Sequence, residues 1–210
     1  MSDIRKTGIL FLLWSTFAGS ISFFVSSVIM AVVISKIDFF IINTIFAGVL
    51  GGLFLSIFLL KWHKIMKMML AGLVAVPIGF WGAFILVEGA NLLLSSLSSN
   101  SENPNLFGIG NIVAIIIMGI ICGAIFGAII YGRKSILLFA VICGVFSFPF
   151  GKLVDLFNSG HSIKATFENM LTFLGSIDLN FIAIMTSFGI GIGISIGLYE
   201  KLNHIRTSKS

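Results

Sequence analysis

Glu88, Lys152 and Asp155 are the side chains of this sequence whose types and spacing best suit the binding of a solute. Glu88 lies 21 residues after Lys67, and Asp155 lies 21 residues after Lys134. In helices that rise about 1.5 Å per residue, each carboxylate then lies roughly 31 Å from a basic residue at the other end of its helix. Lys152 precedes Asp155 by three residues, so these two share one helix face.

Two interpretations of these charged groups remain open. In the first, Glu88, Lys152 and Asp155 form an outward-facing polar mouth that binds a solute. Other polar and aromatic residues near that level would complete it: Asn43, Asn91, Asn111 and Trp81. In the second, Lys152 pairs with Asp155 within one helix, the polar residues are wetted by lipid headgroups, and Trp81 packs in a core.

Other chemistry-bearing residues do not form a recognisable catalytic or metal site. His63, His161 and His204 lack partners at the spacing of metal ligands. Cys122 and Cys143 lie within apolar stretches, where small apolar filling is the ordinary role of a free cysteine. Because no nucleophile, base and metal occur together, the sequence predicts a protein that is not an enzyme and that holds neither a metal nor a cofactor.

The composition determines the class of protein that must position these residues. Hydrophobic residues make up 58% of the 210 residues and charged residues only 10%, whereas soluble domains carry about 25% charged residues. The mean hydropathy is +1.13. These values predict an all-α integral membrane protein whose main partner is the lipid bilayer, and they exclude soluble enzymes and nucleic-acid binders.

Six stretches are long and apolar enough to cross a bilayer, which takes roughly 20 residues each. They leave too little chain for a soluble domain, so residues 1–210 are expected to form one membrane domain. An amphipathic segment at 162–175 is expected on the outer surface. The expected spans are 8–34, 39–60, 65–94, 107–131, 135–157 and 179–199.

The charges predict the orientation of these spans. With a cytoplasmic N-terminus, ten basic and two acidic residues lie inside, while three basic and six acidic residues lie outside. Cytoplasmic loops of membrane proteins carry such an excess of lysine and arginine. Both termini are therefore expected in the cytoplasm, and a bacterial inner membrane is the simplest location.

The even-numbered spans share a motif of small residues at four-residue spacing, which places them on one helix face. Their first glycines are 71 and 70 residues apart, and each motif ends shortly before a basic cluster. This periodicity predicts three tandem helical hairpins that pack through glycine-lined faces. The residues are Gly48, Gly52 and Ser56, then Gly119, Gly123 and Gly127, then Gly189, Gly193 and Gly197.

Two functional hypotheses follow from this architecture. The first is a non-enzymatic component of a small-solute transport system, either a small permease or a membrane subunit of a transporter complex. Repeats related by an axis along the membrane normal are one transporter design. The second is a structural or assembly protein that binds partner helices, from other subunits or from a second copy, through its glycine faces and through a stripe of small residues on the first span. The stripe consists of Ser15, Gly19, Ser22 and Ser26.

Overall fold

The computed structural model describes residues 8–34, 40–97, 106–159 and 179–207. These ranges are helical apart from short turns and contain no strand, so the all-α prediction is confirmed. The amphipathic segment expected at 162–175 lies outside the described residues. The six helices are α1 (Gly8–Ile34), α2 (Phe40–Phe58), α3 (Ile65–Leu97), α4 (Leu106–Tyr131), α5 (Ile136–Ser159) and α6 (Leu179–Thr207).

Five of these helices are long and apolar enough to cross a membrane, as expected of a multi-pass membrane protein. The exception is α2, whose apolar part, Ile42–Phe58, is shorter. Three helices extend beyond their predicted ends: α3 reaches Leu97, α5 reaches Ser159 and α6 reaches Thr207. No glycine or proline follows Tyr199 within α6, so nothing in the sequence terminates the helix at the end of its apolar stretch.

The helices form a closed ring in which each packs against the next along the chain. An extensive contact between α1 and α6 closes the ring, and α6 also touches α4. The span in α6 is 67% buried, compared with 28–44% in the other four. The last helix is therefore the most enclosed, with α1, α4 and α5 around it.

Each glycine face packs against an odd-numbered helix and not against another glycine face. A Cβ atom on Gly48 of α2 would overlap the carbonyl of Gly72 in α3. A Cβ atom on Gly123 of α4 would overlap the carbonyl of Phe139 in α5. A Cβ atom on Gly193 of α6 would likewise overlap the carbonyl of Ser15 in α1. The closest backbone contacts thus lie between α2 and α3, α4 and α5, and α6 and α1, rather than within the predicted hairpins.

Aromatic side chains fill the space between α1, α4 and α6. The ring centroid of Phe188 lies 5.0 Å from that of Phe23 and 6.1 Å from that of Phe126, in edge-to-face arrangements. All three side chains are almost completely buried. Such pairs contribute about 0.5–1.5 kcal/mol beyond their buried area. The middle of the bundle is therefore a packed core and not an open channel.

Candidate functional site

A cluster of three polar side chains lies at one end of the ring, one of them buried and two partly buried. Lys61 follows α2, Tyr131 is the last residue of α4, and Glu200 lies in the last part of α6. Positions 61 and 131 are 70 residues apart, and positions 131 and 200 are 69 residues apart. The three residues come from the turn after α2, from α4 and from α6, and we call Lys61, Tyr131 and Glu200 the polar cluster.

One oxygen atom joins the three residues of the polar cluster. The Lys61 ammonium group forms an ion pair with Oε1 of Glu200. The Tyr131 hydroxyl donates a hydrogen bond of 2.6 Å to the same Oε1, and Lys61 Nζ donates to Tyr131 Oη at 3.3 Å. The Lys61 side chain is only 9% exposed and that of Glu200 is 31% exposed. Since a buried charge without a partner is very costly, each charge in the cluster depends on the other.

The turn after α2 holds Lys61 in a strained segment of backbone. Leu60 has a φ of 53°, in the left-handed region that L-residues other than glycine rarely adopt. The Lys61 amide donates to Ser56 O at 2.9 Å and the Leu60 amide donates to Ile57 O at 3.0 Å, which are the two bonds of a Schellman motif. After α4, the left-handed position is taken by Gly132, with φ 81°. Leucine in this conformation costs roughly 1–2 kcal/mol, directly beside the buried lysine.

Aromatic rings surround the polar cluster. The ring of Tyr131 lies 4.5 Å from Tyr199 and 5.8 Å from Phe139, measured between centroids. Lys61 Nζ is 5.7 Å from the centroid of Phe11, and Lys64 Nζ is 4.4 Å from the centroid of Tyr131. Both lysines are within the range of cation–π attraction. The rings shield the Lys61 ammonium group from water and so strengthen its attraction to Glu200, although Glu200 itself stays partly exposed.

The predicted solute-binding residues lie elsewhere. Glu88 of α3 and Lys152 of α5 are exposed, and no contact joins them in the part of the chain that the structure describes. Trp81 is 37% exposed, so it is not a core residue. Its ring contacts only Phe80 and Phe84 of its own helix among the described rings, at 6.4 and 6.1 Å. The backbones of Asn91, Asn111 and Asp155 belong to α3, α4 and α5, but their side chains lie outside the described residues.

Two further polar features occur within the described helices. Asn43 Oδ1 is buried without a hydrogen-bond partner among the described residues, on α2 at the end remote from Lys61. A narrow crevice between α4, α5 and α6 is lined by Gly119, Ser147 and Ser187. Both serine hydroxyls donate to carbonyls of their own helices, at 2.7 Å each. The crevice therefore offers no free hydroxyl donor to a ligand.

Sequence reasoning misses the polar cluster because Lys61 and Glu200 fall just outside the expected spans 39–60 and 179–199, and Tyr131 is the last residue of the span 107–131. The available signal is the spacing of the glycines, since the same interval relates positions 61, 131 and 200 or 201. Among the described residues no group of three or more His, Cys, Asp or Glu side chains can hold a metal ion. Cys122 and Cys143 are buried and unpaired.

Comparison with known proteins gives no match among family models, curated proteins or solved structures. What the chain does must therefore be inferred from its geometry and charge.

Proposed function

We propose that this chain is a non-enzymatic membrane component of a small-solute transport system, either a small permease or a membrane subunit of a larger transporter complex. The observation that carries the proposal is the polar cluster of Lys61, Tyr131 and Glu200, which ties together the ends of α2, α4 and α6. In this proposal the cluster closes one end of a solute pathway between the three repeats, and its release opens that end.

The energetics of buried ion pairs support a closure role. Removing two charges from water offsets most of their attraction, so a buried pair contributes little net stability compared with apolar residues of the same size. Removing one charged group from the pair costs free energy, however, because the other charge stays buried without a partner. A contact of this kind favours two discrete states, one with the pair formed and one with both groups hydrated, which is the behaviour that a gate requires.

The packing of α6 supports the same proposal. Two opposite faces of this helix carry small residues: Gly193 meets α1, while Gly191 lies against Cys143 of α5. Ser195, on the same side as Gly191, also approaches Cys143. Glycine faces allow close backbone contact without interlocking side chains. A helix held between two such faces can shift along its neighbours with little repacking once Glu200 is released.

We further propose six spans in a bacterial inner membrane, with both termini in the cytoplasm. The 19 residues of α2 extend about 28 Å, close to the roughly 30 Å of hydrocarbon. One end of the ring, which we call the basic end, carries an excess of positive charge, and the positive-inside rule assigns it to the cytoplasm. Its residues are Lys61, Lys64, Lys67, Arg133, Lys134 and Lys201.

The alternative is a structural or assembly protein that binds partner helices through its glycine faces. That hypothesis needs glycine faces that are free of neighbours. The face of α2 contacts α3, that of α4 contacts α5, and that of α6 contacts α1. The three seams are therefore occupied within the chain, which favours the transport hypothesis over assembly through glycine.

Reconstitution into liposomes tests the proposal. One set of vesicles contains the wild-type protein, and a second set contains the Lys61→Met, Glu200→Met double variant. Each set is mixed with one solute at a time: glycerol, sugars, amino acids, nucleosides and water-soluble vitamins. Swelling followed by light scattering reports entry. We expect wild type to admit at least one solute faster than the double variant, because two apolar side chains stay packed together and have no hydrated state that would open this end.

Two controls make this test decisive. Vesicles without protein set the background, and Lys134→Met, which removes an exposed lysine that is not part of the cluster, should behave as wild type. The proposal fails if neither the wild type nor the double variant exceeds the background with any solute. In that case, a protein partner that co-purifies stoichiometrically from native membranes would favour the assembly hypothesis.

A further inference from the structure

Lys64 and Lys67 form a second cationic feature next to the polar cluster. Lys64 ends the 3-10 turn Trp62–Lys64, and Lys67 lies three residues later in the first turn of α3. Burial, and after it the positive charge of Lys67, lower the pKa of Lys64 below its ordinary value. Lys64 is half-buried against the ring of Tyr131, at 4.4 Å from its centroid, whereas Lys67 is exposed. Two like charges are thus held together at the surface.

Within the described ranges no carboxylate pairs with Lys64 or Lys67. The carboxylate of the polar cluster, that of Glu200, already accepts from Lys61 and from Tyr131. The backbone at the start of α3 adds the positive end of a helix dipole, which disfavours cations there. The site therefore has an excess of positive charge that only an anion from outside this part of the chain can neutralise.

The surroundings of the two lysines are apolar and face outward. Leu60, Trp62 and Met66 are all exposed large apolar side chains within a few residues of Lys64. Tryptophan beside lysines is typical of the boundary between hydrocarbon and headgroups. A ligand that fits here must carry a negative group for the lysines and an apolar portion for the adjacent side chains.

We propose that Lys64 and Lys67 bind the phosphate of an anionic phospholipid headgroup, with its acyl chains against Trp62 and Met66. Basic residues at a membrane surface attract anionic lipids through their charge, and phosphate oxygens accept hydrogen bonds from ammonium groups. The occupied site neutralises the charge beside Tyr131 and so favours the closed arrangement of the polar cluster. The binding site itself does not depend on the transport proposal.

The test measures thermal unfolding of the full chain in nanodiscs of phosphatidylcholine, with or without phosphatidylglycerol. We expect phosphatidylglycerol to raise the unfolding temperature of the wild type by about 4 °C, since each lysine near an anionic surface contributes to binding. The Lys64→Gln, Lys67→Gln double variant should lose more than half of that rise. Lys152→Gln, an exposed lysine remote from the site, is the matched control and should keep it.

Further experiments distinguish an effect on lipid binding from an effect on folding, and lipid from free phosphate. The Lys64→Arg, Lys67→Arg variant keeps both charges, so phosphatidylglycerol should still raise its unfolding temperature. Native mass spectrometry should show fewer bound phosphatidylglycerol molecules on the glutamine variant than on wild type. The proposal is overturned if the glutamine variant gains as much as wild type, or if phosphatidylcholine alone has the same effect. Stabilisation by inorganic phosphate equal to that by phosphatidylglycerol, and dependent on both lysines, would assign the site to free phosphate instead.

Discussion

Lys61 and Glu200 are 139 residues apart in the sequence, yet they form an ion pair at one end of the helix ring. One belongs to the turn after the second helix and the other to the last helix. Their contact, with Tyr131 between them, links the turn after α2 to α4 and α6. In the proposed function, this contact determines whether that end of the ring is open.

Separate and combined removal of the charges should affect stability very differently. Lys61→Met alone should lower the free energy of unfolding by about 3 kcal/mol, at the low end of the usual range because Glu200 is partly exposed. The double variant with Glu200→Met should be within about 1 kcal/mol of wild type, since no charge is then left buried. Unfolding of the purified variants in detergent measures both values. Simple addition of two single losses would show that the pair is not coupled.

The hydroxyl of Tyr131 should contribute one hydrogen bond and little else. Tyr131→Phe keeps the ring contact with Tyr199 but removes the donor to Glu200, so a loss of about 1 kcal/mol is expected. Tyr199→Phe is the matched control, because no hydrogen bond of its hydroxyl is found among the described residues. Melting curves compare the two variants. Equal losses at both positions would contradict a special role for the Tyr131 hydroxyl.

Alanine at two helical glycines should have effects of opposite sign. Gly193→Ala should destabilise the fold, because the new Cβ atom would overlap the backbone of Ser15 and Thr16. Gly89→Ala places its Cβ atom in open space, and the better helix propensity of alanine should stabilise α3 by up to about 1 kcal/mol. Thermal stability in detergent distinguishes the two. A gain at Gly193 would remove the evidence that close backbone contact joins α6 to α1.

The two turns should respond in opposite ways to glycine. Gly132→Ala should cost about 1 kcal/mol although nothing lies within 4 Å of the added Cβ atom, because φ at this position is positive. Leu60→Gly should relieve the corresponding strain after α2 and raise the unfolding temperature, whereas Leu60→Val should lower it. Unfolding measured in the same detergent compares all three. Stabilisation by Gly132→Ala would contradict the left-handed conformation.

Cysteine labelling should report the orientation of the bundle. In a chain whose Cys122 and Cys143 are replaced by serine, His63→Cys lies at the basic end and Glu88→Cys lies towards the opposite end; both positions are exposed. A membrane-impermeant maleimide added to intact cells should modify the cysteine at 88 and spare the one at 63. Permeabilised cells, in which both should react, provide the control. Labelling of position 63 alone would reverse the proposed topology.

Composition and local pattern were sufficient to predict the helices. Long apolar stretches separated by charged or glycine-containing turns must form helices in lipid, since every backbone amide and carbonyl needs an internal partner. The four-residue spacing of Gly189, Gly193 and Gly197 likewise identified a close-packing face without reference to any neighbour. The end of α6 was less predictable, because the helix continues past its apolar stretch into polar residues that lack a terminating signal.

Only the tertiary structure decided which surfaces meet. A glycine face indicates that another helix can approach closely, but it does not identify that helix. The partner depends on how the six helices close into a ring, and α6 packs on α1, from the other end of the chain. For the same reason Lys61, Tyr131 and Glu200 could not be identified as a cluster from local pattern. These residues come together only when α6 is enclosed by its neighbours. Glu88 and Trp81 were predicted as site residues from their depth along the helix, but both are exposed. Depth along a helix does not determine which way a helix face points.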